Sequence, residues 1–188
     1  MTEVRVVPIH RYVGLAADTK STVGVPAGSE WYETDTGATY VYDGAAWNLR
    51  LELGPLRASK TLAFTGAANL GAVGNVPLFT VTGEALVVAI VAFCTEDLVG
   101  ATATLALGVT GSTALFIAAT TGTDIDVNEF WVDAVPDANG VALPAALKDI
   151  AITDNIVGTV AVAAITDGTI RYDVYWRPLS SNGRIVAA

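Results

Sequence analysis

Nowhere does this chain space its apolar residues at helical intervals over the length of a normal helix. Strand-length runs recur instead, separated by Gly, Asn, Asp and Pro. Candidate strands are Lys60–Thr65, Val76–Thr82, Ala85–Cys94, Ala101–Val109, Ala114–Ala119, Glu129–Asp133, Ile150–Thr153, Ile156–Ile165 and Thr169–Arg177. In the last, Ile170, Tyr172, Val174 and Trp176 alternate with Arg171, Asp173, Tyr175 and Arg177, which gives one apolar and one polar face. Ala85–Cys94 is apolar at every position, which predicts cover on both faces. Asp167-Gly168 predicts a hairpin between Val160–Ile165 and Thr169–Trp176. Pro144–Asp149 has room for one short helical turn. With no alternation of strands and helices, residues 56–188 are expected to form a β-sandwich of jelly-roll type.

A second, smaller β pattern precedes it. Gly28–Trp47 reads GSEWYETDTGATYVYDGAAW, with Trp31, Tyr32, Tyr40 and Tyr42 in β-forming runs. Asp35-Thr36-Gly37 and Asp43-Gly44 separate those runs, the latter as a tight two-residue hairpin turn. The expected unit is a three-stranded meander over residues 28–53, its third strand running from Ala46 to Leu53. A meander this short buries too little apolar surface to stand alone. Trp31, Tyr32, Tyr40, Tyr42 and Trp47 therefore form its mini-core, an oligomer interface, or a platform for stacking a sugar. Residues 1–27 read as an arm and loop. Val4–Ile9 is extended and apolar–basic, and Pro8 excludes a central strand there. Gly54-Pro55 marks the boundary to the larger domain.

Charge and composition narrow the function classes. The net charge is −9, and the ten Lys and Arg residues are scattered singly, so a nucleic-acid partner is not expected. Only 15% of residues are charged and 52% are hydrophobic, a mix that suits packed sheets or a surface hidden against neighbours. Leu98–Thr123 carries no charge, yet its four glycines and seven threonines read as two strands around a turn and not as a membrane span. Glu3 and Arg5 interrupt the start and no apolar core follows, so no signal peptide is expected.

No catalytic or metal constellation emerges. Cys94 and His10 are each the sole residue of their type, too few for a zinc site, and Cys94 reads as a buried apolar residue. No serine sits in a nucleophile elbow, and no glycine loop has the lysine of a phosphate cradle. Asp124, Asp126 and Asn128 have the first three spacings of a calcium loop, but Glu129 and Val135 occupy its sixth and twelfth positions. An irregular surface calcium site near Asp124 and Asp126, with Asp133 or Asp137, stays open. The chain is expected to be non-enzymatic and to need no cofactor.

The segment Gly28–Trp47, with Asp18-Thr19-Lys20 and Val25-Pro26-Ala27-Gly28 before it, resembles a module of tailed-bacteriophage virion proteins found in head-decoration, fibre and tail polypeptides. Phe64–Gly71, Val76–Gly83, Thr123–Asp126 and the close Tyr175–Ser180 are similar in style. The resemblance implies a capsid decoration, or cement, protein at the virion surface, with the major capsid protein as partner and self-association as a homotrimer. The arm would bind the capsid through Arg5, Val7, Ile9, Arg11 and Lys20. The alternative is a head, neck or tail fibre module that recognises host glycan or protein.

Overall fold

A computed structural model describes residues 8–50 and 55–188. The chain is all-β, with 54% of the described residues in strands, and it divides into two compact units at Leu56–Arg57.

The first unit is a four-stranded sheet in sequence order: β1 (Arg11–Gly14), β2 (Glu30–Glu33), β3 (Thr39–Tyr42) and β4 (Trp47–Arg50). β2, β3 and β4 form the expected antiparallel meander, the expected end of its third strand at Leu51–Leu53 lying outside the described residues. β1 lies parallel to β2, with Tyr12 opposite Trp31 and Val13 opposite Tyr32. The expectation of an arm and loop over residues 1–27 is therefore corrected at Arg11–Gly14, which is a strand of the sheet. Arg5 and Val7 lie outside the described residues. A parallel pair needs a long crossover, and residues 15–29 supply it as an irregular loop. The Asp43-Gly44 turn is wider than two residues: Tyr42 pairs with Trp47, and Asp43 N–H donates to the Ala46 carbonyl at 3.1 Å.

The second unit has ten strands in two sheets. In chain order they are β5 (Leu56–Ala63), β6 (Gly74–Thr82), β7 (Ala85–Val99), β8 (Thr104–Val109), β9 (Ser112–Thr121), β10 (Phe130–Trp131), β11 (Ile150–Ile152), β12 (Ile156–Ala161), β13 (Asp167–Pro178) and β14 (Arg184–Ala187). One sheet runs β10-β7-β13-β5, with β11 also on β7, and the other runs β14-β6-β12-β8-β9. Their inward faces bury Ile90, Cys94, Tyr172, Val174 and Trp176 from the first sheet, and Val76, Leu78, Leu105, Leu107 and Val160 from the second. The β-sandwich is thus as expected, and Ala145–Leu147 forms the single helical turn predicted there.

Three sequence expectations change. Asp167-Gly168 makes no hairpin, because β12 pairs with β6 and β8 in one sheet while β13 pairs with β7 in the other. Gly168 instead sits where the β7–β13 register slips, at φ 102°, and a Cβ there would strike the Asp97 carbonyl oxygen. It is a bulge glycine. Second, β7 is buried on one face only. Leu86, Val88, Val91 and Phe93 on the other face stay half-exposed, because a sandwich covers each sheet on one side. Third, β14 was not anticipated; it extends the edge of β6 with Ile185 opposite Val81. The uncharged stretch Leu98–Thr123 holds β8, a turn at Thr110-Gly111 and β9. Among the described residues no helix is long and apolar enough to cross a membrane.

Candidate interaction site

The two faces of the small sheet have opposite characters. Alternation along the strands puts Tyr12, Trp31, Tyr40, Tyr42 and Trp47 on one face. Tyr12 stacks on Trp31 with centroids 5.9 Å apart, Trp47 meets both edge-on at 6.0 and 6.2 Å, and Tyr42 lies 5.3 Å from Trp47. Gly14 is required here: a Cβ would approach the Trp31 ring to 2.5 Å. The crossover loop closes over this face. Trp47 Nε1–H donates to the Ser21 carbonyl at 2.9 Å, and the Tyr42 hydroxyl donates to that of Thr22 at 3.3 Å.

The Glu-Thr-Asp-Thr-Gly turn fastens the loop. Glu33 is fully buried. Lys20 Nζ donates to its carboxylate at 2.7 Å, and the Thr36 hydroxyl donates to the other oxygen at 2.5 Å. The ammonium also stands 4.7 Å from the Tyr40 ring centroid and 5.3 Å from that of Trp31. Asp35 accepts the Ala16 N–H at 2.9 Å. At the next turn, backbone N–H donors from Ala46 and Ala45 and the Asn48 amide hold the Asp43 carboxyl below the usual carboxylate range.

The five aromatic residues singled out in sequence therefore separate. Trp31, Tyr40, Tyr42 and Trp47 belong to the mini-core face, with Trp31 and Tyr42 buried outright. Tyr32 alone points the other way and is 45% exposed. Lys20 likewise turns inward, its side chain 14% exposed and committed to Glu33. Ile9 and Arg11 remain exposed.

The opposite face carries Arg11, Val13, Glu30, Tyr32, Thr39, Val41, Asn48 and Arg50. Val13, 69% exposed, lies in register beside Tyr32. Glu30 is bracketed by Arg11 at 3.3 Å and Arg50 at 3.0 Å. The result is an apolar pair beside a charged row with more positive than negative groups. Val13 and Arg50 were not legible as site residues, because their exposure depends on which strand face the loop covers.

The chemical candidates take structural roles. The Cys94 thiol is buried and pushed up to about 11 by desolvation. The ring Nδ1 of His10 lies 2.8 Å from the Tyr12 hydroxyl. In the acidic loop, Asp126 N–H donates to Glu129 at 3.0 Å and Val127 N–H to Asp97 at 2.6 Å. Asp133 and Asp137 accept the N–H of Val135 and Asn139. Among the described residues no three metal-ligating side chains converge. Compared with known proteins, the chain matches no family model and no curated relative.

Proposed function

We propose that this chain is a non-enzymatic structural protein of a phage virion, a decoration protein whose small sheet attaches it to the assembled head. The observation that carries the reading is the pairing of Val13 and Tyr32, both exposed, on the sheet face that the crossover loop leaves open. A unit this small gains nothing internally from exposing a valine and a tyrosine side by side. A partner surface would desolvate both, and Tyr is a favoured interface residue. Arg11 and Arg50 give the same face a positive bias toward an acidic lattice protein. The sandwich is the body held at the surface. A protein that binds only the assembled lattice stabilises that lattice by mass action, so the function needs adhesion and no chemistry.

The test is to mix the purified protein with capsids that lack it, sediment the particles and count bound copies. Saturable binding at a fixed ratio to the major capsid protein supports decoration. Absence of binding, with adhesion to host cells or glycans instead, overturns it in favour of a recognition module.

A further inference from the structure

The chain contains two Asn-Gly pairs, Asn139-Gly140 and Asn182-Gly183. Such a pair can close on itself, because glycine puts no Cβ between its own backbone nitrogen and the asparagine side chain. The two pairs sit in opposite surroundings. Asn182 lies in the turn before β14. Its Oδ1 accepts the Ser180 hydroxyl at 2.9 Å and packs so closely on Gly83 that a Cβ added there would strike it. Gly183 is buried, its N–H donates to the Ser180 carbonyl at 2.9 Å, and a Cβ on it would strike the Glu84 carbonyl oxygen. Nucleophile and target are both tied down. Asn139-Gly140 lies in the loop after β10. Phe130 and Asp137 exchange two backbone hydrogen bonds, at 2.8 and 3.1 Å, which fasten the start of that loop, and Asn139 N–H donates to the Asp137 carboxylate at 3.0 Å. Beyond that point the bonds stop. Asn139 and Gly140 are exposed, and among the described residues no group bonds the Asn139 side chain or the Gly140 N–H. Gly140 has φ 94°, and a Cβ there would meet nothing within 4 Å. Packing therefore does not oppose the rotation that brings the Gly140 nitrogen onto the Asn139 side chain. Gly140 and Val141 also line an apolar pocket of about 230 Å³ beside Val91, Phe130 and Leu143.

We propose that Asn139-Gly140 is a site of spontaneous covalent modification, deamidation through a cyclic imide, and that the fold protects Asn182-Gly183 from the same reaction. The Gly140 nitrogen loses its proton to solvent base and bonds to Asn139 Cγ. The bond from Cγ to the side-chain nitrogen breaks, and that nitrogen takes a proton from solvent and leaves as ammonia. Water then opens the imide at either carbonyl. One opening leaves aspartate, and the other leaves isoaspartate, with one more methylene in the backbone. Nothing is oxidised or reduced, and water is the only co-reactant. One neutral amide becomes one carboxylate, so the net charge moves from −9 to −10. The new charge appears on the loop that lines the apolar pocket, which gives an aged molecule a different surface there from a fresh one. All these groups lie in the sandwich, so the proposal stands apart from the attachment reading.

The experiment keeps the full chain in warm, mildly alkaline buffer, native and in denaturant, and samples it over time. Peptide mapping by mass spectrometry places each gain of about one dalton, and released ammonia is measured alongside. In the native chain Asn139 should react about tenfold or more faster than Asn182, whose reaction needs its turn to open. In denaturant the two rates should come within about threefold of each other, because the protection belongs to the fold. Asn139→Gln should remove the early mass gain and leave the circular dichroism of the native chain unchanged. A native chain in which Asn139 keeps its amide, one in which Asn182 reacts as fast, or a rate ratio that denaturant leaves unchanged would each overturn the proposal. Capsid binding, present or absent, bears only on the attachment reading.

Discussion

Asp173 is the most constrained charged residue of the sandwich. It is 7% exposed, yet both its oxygens are bonded by arginine. Burial works to raise its pKa, but hydrogen bonds from Ser59, Arg57 and Arg171 outweigh burial and hold it below the usual aspartate range. The unfolded value is about 3.9, so its contribution is complete above that pH and is lost as pH falls through the lower folded value. Asp173→Asn should cost about 1–3 kcal/mol at neutral pH and flatten the loss of stability below about pH 4. Chemical denaturation at neutral and acid pH measures both. Cys94 is shifted the other way, and its thiolate is disfavoured at any ordinary pH. A maleimide or iodoacetamide should fail to label it at neutral pH in the native chain and label it fully in denaturant. The burial of Cys94 was legible in sequence, but the pairing of Asp173 was not. The alternation of β13 places Asp173 on an outward face, and only the pairing with β5 brings Arg57 from 116 positions away.

At the scale of elements, sequence reading found what is local and missed what is not. The run Thr169–Arg177 was legible because its alternation needs no partner to be seen. β1 and β14 were missed because each is four residues long and gains stability only from a neighbour, β2 and β6 respectively. The Asp167-Gly168 signal was read as a turn because Asp-Gly provides positive φ in either setting. Consecutive strands in this sandwich mostly switch sheets, and only β8 to β9 is a tight hairpin within one sheet. Hence the positive φ of Gly168 serves a bulge against β7. Gly168→Ala forces a left-handed alanine against the Asp97 carbonyl and should destabilise the chain by about 2 kcal/mol or more. Thermal unfolding compared with Gly140→Ala, also at positive φ but with nothing within 4 Å of an added Cβ, isolates the backbone clash.

At the scale of the whole molecule, the two-part organisation was legible from Gly54-Pro55 and from the contrast between an aromatic module and an apolar strand series. The assignment of faces was not. Trp31 and Tyr32 are adjacent, equally aromatic and equally plausible as interface residues, and alternation sends them to opposite sides. Which side is covered depends on a loop that crosses over because β1 is parallel, and on the Lys20–Glu33 pair that holds it down. Once that is fixed, Val13, Tyr32, Arg11 and Arg50 are left exposed on the other face. The most direct test titrates undecorated capsids with wild type and with a Val13→Asp, Tyr32→Ala variant, alongside a Val162→Asp control at an exposed loop valine of the sandwich. The account predicts an unchanged fold in all three, saturation by wild type and control, and affinity reduced by about 100-fold or more in the double variant. Equal occupancy by all three would contradict the claim that the open face of the small sheet is what attaches this protein.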